Sequence, residues 1–170
     1  MKWLIMVGAV LAVAVAAVVI IGALLPKRHV VSRGTLIHQS PEAVFALISG
    51  PPTWRPSVKS VAELPARNGH VCWSEEDKRG QKVTYERVEL EPPRTMITRI
   101  ADPDLPFGGT WKYDVEEVEG GSRVTITEDG EVYNPLFRFV SKFIMGHSAT
   151  IDGYLKELGN KFGEEIKPEA

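Results

Sequence analysis

Residues 134–163, NPLFRFVSKFIMGHSATIDGYLKELGNKFG, decide the fold of this protein. Asn134 is a typical helix N-cap and Pro135 suits the first helical position, so the segment predicts a helix from this point. Apolar side chains then recur at steps of three and four residues for about six turns, which predicts one apolar stripe along the helix. The members of the stripe are Val140, Phe143, Ile144, His147, Ile151, Tyr154, Leu155, Leu158 and Phe162. A stripe of this length needs a partner surface, and only a sheet built from the preceding residues can supply it.

The chain before this helix predicts an antiparallel sheet. Between residues 57 and 132, short runs of alternating apolar and polar residues are separated by turn sequences such as Glu119-Gly120-Gly121. In one run the apolar residues Trp111, Tyr113 and Val115 alternate with charged ones, which indicates one buried and one solvated face. We therefore expect a meander of antiparallel strands with the long helix on its inner face. A shorter helix is predicted from the cap Ser40-Pro41-Glu42.

The N-terminal segment predicts a membrane anchor. Every residue from Trp3 to Leu25 is apolar or glycine. A helix of this length rises about 34 Å, which exceeds the roughly 30 Å core of a bilayer. The apolar run is longer than that of a usual signal peptide and ends in Leu24-Leu25-Pro26-Lys27-Arg28 instead of a small-residue cleavage site. We expect a retained single-pass anchor, with a cleaved signal peptide as the alternative.

The charges around this segment predict its orientation. Lys27, Arg28 and Arg33 follow the apolar run, whereas Lys2 precedes it. Since basic residues favour the cytoplasmic side, we expect the domain to be cytoplasmic.

The composition of the chain limits the kinds of binding partner that we expect. Residues 1–29 carry three basic residues and no acidic one, and the chain has a net charge of −2, so residues 30–170 carry −5. This acidic part has no Lys/Arg-rich run, so nucleic acid is not an expected partner. Cys72 is the only cysteine, which excludes an intrachain disulfide and a cysteine-based zinc cluster. No metal and no cofactor are predicted, and the oligomeric state is left open.

Four sequence motifs carry a resemblance to a known family. In chain order they are Ser40-Pro41-Glu42-Ala43-Val44-Phe45 followed by Trp54, Glu91-Pro92-Pro93-Arg94, Gly108-Gly109-Thr110-Trp111, and Gly121-Ser122-Arg123-Val124-Thr125-Ile126-Thr127-Glu128. Over residues 30–165 the chain resembles the START-like superfamily, also called SRPBCC or polyketide cyclase/dehydrase-like. The resemblance implies an α+β helix-grip fold, an antiparallel sheet wrapped around a long C-terminal helix, here preceded by one transmembrane helix. It does not select an activity, because this superfamily includes lipid and sterol carriers, coenzyme Q-binding proteins, aromatic cyclases and hydrolases.

These observations divide the chain into three parts. We expect a transmembrane anchor and basic flank at residues 1–29, a START-like ligand-binding domain at 30–165 and a tail at 166–170. The charged residues from Glu164 onward are expected to be frayed.

The candidate site is an apolar cavity between sheet and helix. Its predicted ligand-binding residues are Trp73, Tyr85, Phe107, Trp111, Tyr113, Phe143, His147 and Ile151. Strand alternation puts Glu128 on the inner side, and His147 lies on the helix stripe, so the two are candidates for an acid/base pair or a polar anchor. The alternatives are a rim ion pair between Glu128 and Arg138, and a core role for His147 and the aromatic residues.

A loop at residues 102–109 is a candidate lid. It combines rigid prolines and loose glycines with Leu105 and Phe107, two apolar residues that no predicted strand accounts for. A long hairpin loop that packs on the rim, or insertion of both side chains into lipid, are the alternatives.

Three functions are compatible with this sequence. The one we favour is a membrane-anchored protein that holds a hydrophobic small molecule, such as a lipid, a quinone or a polyketide-like compound, in an internal cavity. The second is a cyclase/dehydratase or hydrolase that uses Glu128 and His147. The third is a protein-interaction module with a collapsed cavity. The sequence does not decide whether the protein is an enzyme, and we favour binding over catalysis.

Overall fold

A computed structural model describes residues 2–170, so Met1 of the predicted segment 1–29 lies outside the described residues. Within residues 2–170 the chain forms seven strands and four α-helices. The strands are β1 (Arg28–Ile37), β2 (Val58–Arg67), β3 (His70–Asp77), β4 (Lys82–Glu91), β5 (Thr95–Ile100), β6 (Phe107–Val118) and β7 (Gly121–Val132). The helices are α1 (Lys2–Leu24), α2 (Pro41–Ser49), α3 (Pro135–Val140) and α4 (Ala149–Lys161). A 3-10 turn (Pro52–Trp54) follows α2, and a π-helical turn (Ser141–Met145) follows α3.

The seven strands make one antiparallel sheet in the order β1-β7-β6-β5-β4-β3-β2. The meander of β2 to β7 was predicted from the turn sequences, and β1 closes it by pairing with β7. The α+β helix-grip fold predicted from the sequence is confirmed.

Both predicted helix starts are present. The Ser40 hydroxyl accepts a hydrogen bond from the Ala43 amide at 3.3 Å, and the Asn134 side-chain oxygen accepts one from the Leu136 amide at 2.9 Å. Each cap satisfies an amide that the first helical turn leaves without a partner.

The core lies between α2, α4 and one face of the sheet, which we call the inner face. Its strand residues include Met96, Tyr113, Val115, Val124 and Ile126. From α4 it takes Ile151, Tyr154, Leu155 and Leu158, and from α2 it takes Val44, Phe45 and Ile48. The alternation predicted around Trp111 therefore points Tyr113 and Val115 into this core.

The long C-terminal helix is not continuous, which corrects the prediction of one helix over about six turns. Its first part, α3, leads into the π-helical turn Ser141–Met145. Gly146 follows with a φ of 77°, a left-handed conformation that glycine adopts easily, and α4 begins only at Ala149. The wider π turn shifts the phase of the apolar stripe. As a consequence Phe143 and Ile144 are exposed, while α4 turns Ile151, Tyr154, Leu155 and Leu158 toward the core.

Helix α1 is long and apolar enough to cross a membrane, and a signal sequence would share these properties. Among its described residues, only Val18 and Gly22 are covered by other parts of the chain. The cover includes α3, which packs closely enough that a Cβ added to Gly22 would overlap the Pro135 carbonyl oxygen.

Arg138 fastens α3 to the end of α1. Its buried guanidinium donates from Nη1 to the carbonyl oxygens of Leu25 at 2.9 Å and Ala23 at 3.3 Å, and from Nη2 to that of Tyr133 at 3.2 Å. A cation at the C-terminus of a helix satisfies its last carbonyls and is favoured by the helix dipole. The rim pair between Glu128 and Arg138, left open by the sequence, is therefore not formed.

The C-terminal tail is bound to the domain, so the expected fraying from Glu164 onward is wrong. Glu169 exchanges two backbone hydrogen bonds with Gly34, at 2.8 and 2.9 Å. The Glu164 carboxylate accepts from the His38 amide at 3.0 Å, and Ile166 packs against the core. The backbone of β1 and the apolar surface near Gly159 supply partners that composition does not reveal.

Candidate ligand-binding site

The inner face carries a group of aromatic side chains from neighbouring strands. Trp73 on β3 is paired in register with Tyr85 on β4, and their rings stack with centroids 5.6 Å apart. Trp111 and Tyr113 on β6 lie 5.9 and 5.6 Å from the ring of Tyr154 on α4. Because strand residues alternate between faces, all four strand aromatics reach the same side of the sheet. The structure thus brings Trp73 to Tyr85 and Trp111 to Tyr113.

The two aromatic pairs differ in how they are covered. Tyr113 and Tyr154 are buried in the core, and Trp111 packs against it. Trp73 and Tyr85 are half-buried, and in the described chain 2–170 they belong neither to the core nor to the partly buried residues packed on it. Helix α4 contacts β1, at the other end of the strand order. The inner face at β3 and β4 is consequently the less covered part of the sheet.

An ion-pair cluster lies next to this less covered part. The Arg55 guanidinium stands 4.7 Å from the centre of the Tyr154 ring, donates to Glu157 at 2.9 Å and reaches Glu75 at 3.4 Å. The indole nitrogen of Trp73 donates to the second oxygen of Glu75 at 2.9 Å. All three charged side chains are less than one fifth exposed.

Sequence reasoning missed these three charged residues. Glu75 follows Trp73 by two positions and therefore shares its face, which is a signal that was present in the sequence. Arg55 and Glu157 come from the segment after the 3-10 turn and from α4, so only the tertiary fold brings them together.

A second polar cluster contains both predicted acid/base candidates. Glu128 accepts hydrogen bonds from the Trp111 indole nitrogen at 2.9 Å, and its other oxygen lies 3.1 Å from Nε2 of His29. The ring of His29 stacks on that of His147, with centroids 4.1 Å apart. Nδ1 of His147 lies 3.1 Å from the Ser141 hydroxyl.

His29 is therefore the imidazole that contacts Glu128, and His147 is the next ring beyond it. His29 was assigned to the basic flank of the anchor because composition changes near residue 30. Carrying the alternation of β1 back from Ile37 through Thr35, Arg33 and Val31 puts His29 on the inner face, and this signal would have found it.

The electrostatic environment sets the protonation of these groups. Burial, and in addition the charge of Glu75, raises the pKa of the Tyr85, Tyr113 and Tyr154 hydroxyls well above the ordinary 10.0. The phenols thus remain hydrogen-bond donors at neutral pH. Burial lowers the pKa of His147 below 6.5, and the neighbouring His29 and Lys142 lower it further. His147 is therefore a neutral imidazole at pH 7.

Two predicted ligand-binding residues are placed differently from the expectation. Phe143 is 57% exposed and contacts Phe139, outside the core, because of the phase shift at the π turn. Phe107 is the first residue of β6 and pairs with Val132, so it belongs to a strand and not to a free loop. Ile151 faces the inside, as expected, and is fully buried.

Two surface hollows lie elsewhere. One, of about 460 Å³, is lined by Glu42, Phe45, Ala46, Ser49, Pro92 and Pro93. The other, of about 210 Å³, is lined by Arg28, Gly109, Thr110, Asp129 and Glu131. Neither lining includes a predicted ligand-binding residue. Within residues 2–170, no group of three or more His, Cys, Asp or Glu side chains is arranged to hold a metal ion.

This arrangement defines a helix-grip protein with an aromatic inner face and two polar clusters. The model of the family described as polyketide cyclase / dehydrase and lipid transport matches residues 28–158. The chain belongs to this family.

Solved structures share the fold. The di-domain ARO/CYC StfQ from the steffimycin biosynthetic pathway is 12% identical, with a TM-score of 0.62 over 78% of this chain and 50% of its own. The chain thus spans half the length of that protein. XoxI from Bacillus cereus is 21% identical, with a TM-score of 0.54 over 81% of this chain and 96% of its own. MLL2253 from Mesorhizobium loti is 15% identical, with a TM-score of 0.58 over 80% and 96%. No curated protein sequence matches the chain.

Proposed function

We propose that this chain is a membrane-anchored binding protein that holds an apolar small molecule on the inner face of its sheet. The observation that carries the proposal is the position of Trp73 and Tyr85, whose stacked rings lie on the inner face but outside the packed core. Aromatic surface left uncovered beside a few polar groups is typical of a small-molecule site. The family description includes lipid transport and polyketide cyclisation, which supports a lipid, a quinone or a polyketide-like ligand.

The two polar clusters would orient such a ligand. Arg55 and Glu75 lie at the stacked pair, and the neutral His147 with Glu128 lies beyond Trp111. A carbonyl or hydroxyl group on an otherwise apolar molecule finds donors and acceptors in both places.

The anchor forms part of the proposal. The apolar α1 is joined to β1 by residues 25–27 alone, and Arg138 is bonded to carbonyl groups at the end of α1. Removal of α1 as a signal peptide would leave this buried guanidinium without those partners, which supports retention. The basic residues Lys27, Arg28 and Arg33 support a cytoplasmic domain.

Native mass spectrometry of the full chain tests ligand binding. The chain is released from detergent micelles after incubation with three probes: a short-chain phospholipid, a short-chain quinone and 2-naphthol. We expect one molecule of at least one probe per chain. Replacing both aromatics (Trp73→Ala with Tyr85→Ala) should abolish this complex.

The matched control is Ser74→Ala. Ser74 follows Trp73 directly on β3 and therefore faces the opposite side of the sheet, so its truncation should leave binding unchanged. Absence of all three complexes, or equal binding by the double variant, would contradict the proposal and favour the interaction module.

A second candidate function is acid/base catalysis, which the contact of Glu128 with His29 favours. In a dehydration, one group of this cluster takes a proton from the carbon beside a carbonyl, and another gives a proton to the leaving hydroxyl, which departs as water. The direct pair of Glu128 and His147 suggested by the sequence is replaced here by Glu128 and His29, with His147 stacked behind.

The two functions differ in the effect of Glu128→Gln. This variant keeps an oxygen for the Trp111 indole but removes the carboxylate. Mass spectrometry of a bound hydroxyketone over time would detect loss of water if the protein is an enzyme, and Glu128→Gln should stop that loss while binding persists. A bound compound of unchanged mass in the unsubstituted chain would support binding alone.

A further inference from the structure

The segment that follows β7 exposes several large apolar side chains that are close together in the sequence. Phe143 is 57% exposed, Ile144 71% and Met145 61%. Leu136 and Phe137 on α3 are exposed as well. We call these five residues the 136–145 surface. An apolar group of this size in contact with water is unfavourable, and such surfaces commonly mark a contact with a membrane or a partner.

The position of this surface relative to α1 identifies the occupant. Pro135 lies against Gly22, and Arg138 is bonded to the carbonyls of Ala23 and Leu25. Gly22 is three residues, about 4.5 Å of helix rise, inside the apolar run that ends at Leu25. Helix α3 is therefore fixed at the level where a spanning α1 leaves the bilayer.

The charges around the surface suit the same environment. From residue 132 to residue 151 the chain contains no Asp or Glu. Its two formal cations are Arg138, which is buried against α1, and Lys142, which is exposed. Lys27, at the end of α1, is exposed too. Exposed lysines among apolar side chains are typical of segments that lie in the headgroup region.

We propose that the 136–145 surface is a second membrane contact, which inserts into the boundary between lipid headgroups and acyl chains beside α1. This inference rests on the proposed anchoring by α1, and goes beyond it by assigning a lipid-binding surface to the folded domain itself. The side chains reach into the bilayer on the same side from which the domain projects.

The surface is also joined to the candidate site. Ser141 directly precedes Lys142 in the chain, and its hydroxyl contacts the ring of His147. The ring of His147 stacks in turn on that of His29. Insertion would thus hold one polar cluster of the inner face close to the membrane surface, where an apolar ligand is concentrated.

Lipid-dependent quenching of a fluorescent probe tests the inference in the full chain. Each variant carries one engineered cysteine labelled with bimane in a Cys72→Ser background, in phosphatidylcholine and phosphatidylglycerol vesicles. The vesicles contain brominated lipid with bromine either near the headgroup or near the end of the acyl chain. The labelled substitutions are Ile144→Cys on the surface, Val13→Cys in the middle of α1 and Glu119→Cys in the turn between β6 and β7, all at exposed positions.

We expect the probe at position 144 to lose emission with the shallow bromine more than with the deep one. The probe at position 13 should show the reverse, and that at position 119 should lose none. Met145→Cys provides a second exposed position on the same surface.

The outcomes separate the two proposals. Quenching at position 13 together with none at 144 and 145 would overturn the inference and leave the anchor intact. Absence of quenching at position 13 would overturn the anchor, and the inference with it. Disulfide-linked dimers formed through Ile144→Cys, without lipid quenching, would identify a second copy as the occupant and overturn the inference.

Discussion

At the residue scale, the inner face combines groups whose chemistry depends on burial. Glu128 is held by two donors, from Trp111 and His29, and His147 is kept neutral by its surroundings. Replacing one member of such a cluster should change the free energy of unfolding, because its partners lose a hydrogen bond or a charge.

The stability of the fold should fall in mild acid because of His147. Its pKa is lower in the folded chain than the ordinary 6.5, so the unfolded chain binds the proton more readily. The contribution of His147 is therefore complete above about pH 6.5 and is lost as the pH falls below it. We expect His147→Gln to reduce the fall in the urea midpoint between pH 7.5 and pH 5.5. The control is His38→Gln, at an imidazole whose side chain is 66% exposed; an equal slope in all three proteins would contradict the prediction.

Removing the carboxylate of Glu128 should destabilise the fold. Glu128→Ala leaves the Trp111 indole and the His29 ring without their partner, which costs about 1–3 kcal/mol for a buried polar group. The adjacent Asp129→Ala is the matched control, because Asp129 points to the other face and pairs with an exposed Arg28. Urea unfolding measures both variants. A loss no greater for Glu128→Ala than for Asp129→Ala would show that the inner cluster is not structural.

At the element scale, the sequence predicted more of the sheet than of the helices. The alternation of Trp111, Tyr113 and Val115 assigned their face correctly, because period two is fixed by strand geometry. The C-terminal stripe was harder, since the spacing of Phe143 and Ile144 matches a helix that a π turn and Gly146 interrupt. Periodicity indicates which side of a helix is apolar, but it does not indicate whether another part of the chain covers that side.

The site was predictable where alternation within a strand fixes the face on which a residue lies. Glu128, Trp73 and Tyr85 follow from alternation, whereas Arg55 with Glu157 and His29 with His147 come from segments far apart in the chain. Only their tertiary packing brings these pairs into contact.

The contact of α1 with α3 should depend on the absence of a side chain at position 22. A Cβ at Gly22 overlaps the Pro135 carbonyl, so Gly22→Val should force the helices apart at a cost of about 1–3 kcal/mol. We expect faster hydrogen exchange in residues 135–140, measured by mass spectrometry. Gly8→Val is the matched control, because nothing lies within 4 Å of its Cβ position. Equal exchange in both variants would show that α3 is not held by α1.

At the scale of the whole molecule, the two ends of the domain are fastened close to one strand. Glu169 pairs with Gly34 on β1, and Arg28, the first residue of β1, follows α1 after a connection of three residues. The C-terminal residues of the chain therefore pack beside its first strand, β1.

Truncation after Glu165 should lower the free energy of unfolding by about 1–3 kcal/mol. It removes Ile166, which packs against the core, and the backbone pairing of Glu169 with Gly34. Deletion of Ala170 alone keeps both and should have little effect. Urea denaturation compares the two chains, and similar midpoints would mean that the tail contributes nothing.

Residues 25–27 are the whole connection between α1 and β1, and the Arg138 guanidinium holds the end of α1. If α1 spans a bilayer and the domain binds a ligand, as proposed above, the domain is unable to swing across the aqueous space or to reach an opposite bilayer. The ligand would then be loaded and released at one fixed height above a single leaflet, and its onward movement would depend on a second molecule that comes to the domain.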